Sequence, residues 1–196
     1  MKKVVKFGGS SLASAEQFKK VGAIIKADES RVYVVPSAPG KRSSDDTKVT
    51  DMLLHVYASA CEGKDIADEI KAIKARYDEI IEGLELKDFS LDKDFAEIEK
   101  ALKEDPSQDF AASRGEYLNG KIMAAYLGIE FIDAAEVIFF NEEGNLNTYK
   151  TEKMMSAKLA GCERAVVPGF YGMGKDGNVK TFSRGGSDVT GSIVAR

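Results

Sequence analysis

Residues Lys3–Leu12 read KVVKFGGSSL. Val4, Val5 and Phe7 give a short buried-strand pattern, with Lys6 set among them. Gly8, Gly9, Ser10 and Ser11 follow, and then a helix pattern begins. A strand that ends in two glycines has given up side chains where the chain turns, so something must approach that backbone closely. Over Ala15–Ala27, Phe18, Val21 and Ile25 share one helix face. RVYVVPS, Arg31–Ser37, reads as a second strand, and Pro36 predicts that ladder pairing stops near its end. A strand, a helix and a second strand in this order predict a parallel sheet with helical crossovers.

The rest of the chain extends that alternation. Helical spacing recurs at Val49, Met52, Leu53, Val56, Tyr57 and Ala60, and again at Ile66, Ile70, Ile73, Tyr77 and Ile80. Further helices are predicted over Asp92–Lys103 and Phe110–Leu127. Strands are predicted over Ile129–Asp133, Glu136–Phe140 and Arg164–Phe170, with a short one over Asn145–Lys150. Thr151 is the expected N-cap of a helix running to Ala160, and Lys175–Asn178 (KDGN) is a hairpin-type turn. The last helix is expected to start at Ser187 as its cap and has barely begun at Arg196. The expected fold is α/β, a three-layer αβα sandwich with a mostly parallel central sheet.

Bulk properties narrow the function. The chain has 196 residues and a net charge of -4 with both signs interspersed, which disfavours a nucleic-acid backbone as partner. No run approaches the roughly 18 apolar residues of a membrane span, and no signal peptide is legible. Cys61 and Cys162 are far apart and fit no metal spacing, so reduced thiols in a cytoplasmic protein are expected. The one histidine, His55, lies on a helix pattern and receives no role. Asp45 and Asp46 read as a solvated acidic pair, and no protein-held metal is predicted.

KFGGSS, SAPGK and PGFYGMG each follow the end of a strand pattern. In an open parallel sheet the carboxyl ends of the strands share one rim, where ligands bind. KFGGSS resembles a phosphate cradle, in which main-chain N–H groups and a helix start meet an anion. It is neither a Walker A loop nor a dinucleotide fingerprint, because the lysine precedes the glycines. From the strand end Lys6 could reach over the loop as a point charge. SRGGSD, Ser183–Asp188, offers a second glycine-cleared backbone with Arg184 and Asp188 beside it. An arginine there could grip a carboxylate with both nitrogens, whereas Asp188 also suits a helix N-terminus. In SRGE, Ser113–Glu116, Gly115 costs its helix roughly 1 kcal/mol relative to alanine, which suggests close approach. Glu116 could accept hydrogen bonds from an ammonium group.

Together VKFGGSSL (Val5–Leu12), VVPSAPGKRSSDDTKVTD (Val34–Asp51), SRGE, PGFYG (Pro168–Gly172) and SRGGSDVTG (Ser183–Gly191) resemble the aspartokinases of the amino-acid kinase superfamily. The resemblance implies the amino-acid kinase fold and ATP-dependent phosphorylation of L-aspartate on its side-chain carboxylate, giving 4-phospho-L-aspartate on the route to lysine, threonine and methionine. It implies ATP with Mg²⁺. Lys6 and Asp188 would be catalytic; Lys6, Gly8, Gly9, Ser10, Gly186 and Ser187 would serve the nucleotide phosphates. Ser37, Thr50, Glu116 and Arg184 would hold the amino acid, with Thr47 a competitor for Thr50. Aspartokinases continue well past SRGGSD, so residues 1–196 are expected to be the N-terminal part of the catalytic domain, without an ACT regulatory domain. Strands missing from the kinase domain would leave a sheet edge exposed, which favours a homo-oligomer. A superfamily kinase for another substrate such as glutamate, or a non-catalytic binding or oligomerisation module, are the alternatives.

Overall fold

The computed structural model describes residues 1–183 and 185–196. β1 (Lys3–Phe7) runs through a 3-10 turn at Gly9–Leu12 into α1 (Ala15–Lys26), and the chain returns as β2 (Arg31–Pro36). The Ser14 hydroxyl accepts from the Gln17 N–H and starts α1, whose Phe18, Val21 and Ile25 are buried as the periodicity predicts. Four helices follow, α2 (Val49–Cys61), α3 (Ala67–Gly83), α4 (Asp92–Glu104) and α5 (Gln108–Leu127). β3 (Glu130–Phe131), α6 (Ala134–Val137), α7 (Thr148–Ala160) and β4 (Ala165–Val166) come next. β5 (Tyr171–Met173) and β6 (Val179–Thr181) form a hairpin, and α8 (Gly186–Val194) closes the chain.

The main sheet has the order β1-β2-β4-β3, with every neighbouring pair parallel. Val34 and Val166 face a core built with α1 to α5; Val35, Ala165 and Val167 face the opposite core with Val137, Met155 and Val194. Helices therefore cover both faces, and the expected three-layer arrangement is what the chain adopts. Pairing of β1 with β2 ends at Phe7 and Pro36, where the Ser37 N–H reaches the Phe7 carbonyl at 3.0 Å.

α5 is the central helix. Ser107 caps its start, Gly128 ends it in the left-handed conformation (φ 65°), and most of its residues between are buried. Small residues let it lie close to its neighbours. A Cβ on Gly120 would come within 3.1 Å of Phe131 and Pro168, and one on Gly115 within 2.8 Å of the Ala38 side chain.

Five expectations need correction in the second half. Only Glu130–Phe131 of the predicted strand pairs, and Glu136 belongs to α6, because the Asp133 carboxylate accepts from the Ala135 N–H and turns the chain into a helix. Of Asn145–Lys150 only Leu146 bridges, to Phe140. Asn147 caps α7 by accepting from the Lys150 N–H, so Thr151 is not the cap. Thr151 is instead buried one turn inside, where its hydroxyl accepts from the Phe139 N–H. Of Arg164–Phe170 only Ala165 and Val166 form a strand, since Pro168 has no N–H to donate and Phe170 sits at φ 81°. The KDGN turn is present between β5 and β6, with Gly177 at φ 84°.

Candidate active site at the sheet rim

Because the strands are parallel, the loops after β1, β2 and β4 leave from one edge. The glycines show how tightly they meet there. The Gly40 N–H donates to the Gly9 carbonyl at 2.8 Å. A Cβ on Gly9 would lie 2.8 Å from the Ala38 carbonyl oxygen, and one on Gly40 would lie 2.7 Å from the Gly9 carbonyl carbon. What approaches the glycines after β1 in this fold is thus the backbone of the loop after β2. Gly9→Ala pushes two main chains apart with no flexible side chain to yield. The expected cost is about 1–3 kcal/mol, read as a lower urea midpoint; an unchanged midpoint would show that the two loops do not touch.

A cavity of about 460 Å³ opens beside this contact. Gly9, Ser10, Ser37, Thr50 and Glu116 all line it, together with Ala38, Pro39, Gly40, Lys41 and Lys48. Five residues singled out from separate stretches are therefore neighbours. Thr47, the competitor of Thr50, does not line the cavity, and its carbonyl accepts from Arg76.

Glu116 is the electrostatic centre of this cavity. It stands on α5 and is 6% exposed, with Oε2 buried and unpartnered. Burial pushes its carboxyl up to about 8; the Ala38 and Glu116 backbone N–H groups and, more weakly, the Arg114 charge act against that rise. Beneath it the buried Tyr77 hydroxyl donates to the Gly115 carbonyl at 2.8 Å and fixes the helix turn that carries Glu116.

Lys6 and Asp188 meet at the same rim. The Lys6 Nζ lies 3.0 Å from Asp188 Oδ1, on the first turn of α8, and the Asp188 side chain is 73% exposed. Gly185 occupies the N-cap position of α8 at φ 58°, so Ser187 is not the cap. Ser187 is buried within the first turn, and its hydroxyl accepts from the Ser37 hydroxyl at 3.0 Å, which ties α8 to the loop after β2. Gly186 has a packing duty, because a Cβ there would lie 2.8–2.9 Å from Phe170. Gly8 leads into the 3-10 turn between Lys6 and Gly9. Arg184 lies outside the described residues.

Several contributors escaped the sequence reading. Asn119, one turn beyond Glu116, donates to the Ser37 carbonyl at 2.6 Å and is fully buried. Its spacing of three from Glu116 was the available signal. Lys41 and Lys48 line the cavity although their loop reads simply as polar. Asp46 is not the solvated acid expected: the Arg42 guanidinium and backbone N–H, with Arg76, pair its mostly buried carboxylate and hold it well below the usual range. Among the described residues no cluster of three acidic, histidine or cysteine side chains is arranged to hold a metal ion. No helix among them is long and apolar enough to cross a membrane.

The model of the amino acid kinase family matches residues 1–196. The chain belongs to the amino acid kinase family. Within it, this amino acid kinase chain is 39% identical to Aspartokinase 3 of Bacillus subtilis, over 98% of its own length and 45% of that protein. It is 30% identical to the chloroplastic Aspartokinase 1 of Arabidopsis thaliana, over 98% of its length and 37% of that protein. The crystal structure of Clostridium acetobutylicum aspartate kinase superimposes with a TM-score of 0.95 at 50% identity, covering all of this chain and 45% of that one. Escherichia coli aspartokinase III, solved in complex with aspartate and ADP, shares the fold at a TM-score of 0.76 and 21% identity, over 100% of this chain and 46% of that one. The chain thus spans less than half the length of the relatives it matches.

Proposed function

We propose that this amino acid kinase chain carries the aspartate-binding and phosphoryl-transfer groups of an aspartate kinase, which converts L-aspartate and ATP to 4-phospho-L-aspartate and ADP. The observation that carries the proposal is the buried, unpartnered Oε2 of Glu116 on a cavity of amino-acid size, with Lys6 on the adjoining strand end. A buried carboxylate oxygen without a donor calls for a cation, and the ammonium of an amino acid supplies one. The aspartokinase relatives, and the aspartate and ADP named in the Escherichia coli complex, favour this substrate pair.

In this proposal Glu116 takes the ammonium, the Thr50 hydroxyl donates to the bound amino acid, and the Ser37 hydroxyl, whose proton goes to Ser187, accepts from it. Arg184 takes a carboxylate on the strength of the family pattern. The free side-chain carboxylate is already a nucleophile, so its oxygen attacks the γ-phosphorus without a base, and the bond to the bridging oxygen breaks to release ADP. Lys6 neutralises charge on the transferring phosphoryl oxygens, and the amides around Gly8, Gly9 and Ser10 line the phosphate path. Gly186 and Ser187 approach the phosphates from the α8 side, and Asp188 keeps Lys6 aimed until the nucleotide arrives. Asp188, an exposed carboxylate, would give the protein's share of the ligands for a Mg²⁺ brought with ATP, and such an ion would neutralise phosphate charge.

An NMR titration with L-aspartate, with L-glutamate as control, tests the proposal. Selective shifts at Ser37, Thr50 and Glu116 with aspartate are expected. Shifts with glutamate alone would overturn the substrate, and ADP release by the full-length protein, aspartate against glutamate, gives the second check.

A further inference from the structure

Arg76 lies on α3, a helix that contributes no residue to the cavity, yet its guanidinium is 6% exposed and points at the loop after β2. Nη2 donates to the Gly40 carbonyl at 2.9 Å, and Nη1 donates to the Thr47 carbonyl at 2.6 Å. The two carbonyls flank the six residues Lys41–Asp46, so one planar fork closes that loop at its base. Asp46, from inside the loop, sits 3.3 Å from the same guanidinium and also accepts from the Arg42 N–H and side chain. Arg42 in turn reaches Glu79 on α3 at 2.8 Å.

The consequence runs to both ligand-facing walls. Gly40 is the residue whose N–H holds Gly9, and Pro39 accepts from the N–H of Val49, the first residue of α2. Thr50 follows directly. The clamp therefore sets the separation between Ser37 on one side of the cavity and Thr50 on the other, and it presses the loop after β2 onto the glycines after β1. Burying a guanidinium carries a desolvation cost, and one carboxylate offsets part of it. Two carbonyls that would otherwise lack donors complete the set. A lysine ammonium is a point charge and does not reproduce the planar fork.

We infer, resting on the reading of the cavity as an aspartate site, that Arg76 is a positioning residue that fixes the substrate loop through the Gly40 and Thr47 carbonyls. It touches no substrate, and its effect is on affinity through geometry.

Arg76→Lys and Arg76→Met, each compared with the unaltered protein, provide the test. Aspartate affinity is read from NMR shifts of the folded population, and amide hydrogen exchange is read at Gly40, Arg42 and Val49 against Val5 and Val34 of the sheet. The expected result is aspartate affinity lowered by about tenfold to a hundredfold in Arg76→Lys, the scale of a small misplacement of binding groups. Faster exchange at the three loop amides with unchanged exchange in the sheet should accompany it. Arg76→Lys is the informative variant if Arg76→Met fails to fold. Equal affinity in Arg76→Lys and the unaltered protein, with only a lower melting temperature, overturns the inference and leaves the arginine a stability element. Absence of aspartate shifts in the unaltered protein overturns the cavity assignment instead, and the inference falls with it.

Discussion

Lys6→Met in the full-length protein is expected to lower kcat for ADP release by about 10²–10³, the usual scale for removing one donor to developing oxygen charge. Aspartate binding should change little, because the cavity lined by Ser37, Thr50 and Glu116 does not include Lys6. The physical basis is position. Lys6 stands one residue before the end of β1, and its Nζ reaches Asp188 at 3.0 Å across the rim. That places a mobile cation between the loop after β1 and the start of α8, where a phosphoryl group in transfer would need it. Lys6→Arg should not restore the rate, since a planar fork replaces a compact ammonium. Steady-state kinetics with saturating aspartate settle the matter, and an unchanged kcat would move the phosphoryl site elsewhere.

Glu116→Gln is expected to abolish aspartate-dependent shifts and, in the same protein, to raise stability at alkaline pH. The opposing effects share one cause. Burial holds the Glu116 carboxyl near 8, whereas an unfolded glutamate titrates near 4.5. Below about pH 4.5 the acid is neutral in both states, and folding carries no charge penalty. As pH rises from there towards 8 the unfolded chain gives up its proton while the folded one keeps it, so stability falls across that window and levels off above it. The loss is on the order of a few kcal/mol. Glutamine is neutral throughout, so the variant loses this slope, and urea midpoints at pH 5 and pH 9 compare the two directly. The same linkage acts on binding. An ammonium favours the ionised carboxylate, so aspartate expels the proton and its affinity rises with pH up to about 8. Parallel pH profiles for Glu116→Gln and the unaltered protein would show that Glu116 carries no such proton.

How far the sequence was readable varies along the chain. The first half was clear because Phe18, Val21 and Ile25, or Val49, Leu53 and Val56, keep helical period and are buried as that period requires. The region after Leu127 was harder. Glu136–Phe140 has a strand's composition, yet the Asp133 side chain turns its first two residues into α6 and leaves only Phe139 and Phe140 to make single bridges, to Met173 and Leu146, so a local carboxylate outcompetes propensity at the start of the stretch. Phe170 at φ 81° gave no warning at all, since a bulky residue rarely adopts that conformation and only tertiary contacts hold it: its N–H donates to Thr190 and its carbonyl accepts from Phe182.

The sequence by itself determined the alternation of strand and helix, the family pattern, and the gathering of KFGGSS, SAPGK and PGF at one rim. Parallel strands must all end on the same side, so chain order was enough to place those loops. The tertiary structure decided what faces what across that rim. The Gly9–Gly40 contact, the Arg76 clamp on Gly40 and Thr47, the Asn119 bond to Ser37 and the buried state of Glu116 all join residues distant in the chain. Periodicity reports only which side of an element is apolar. Burial, desolvation and hydrogen-bond pairing depend on distances in space, and those exist only once the layers have packed.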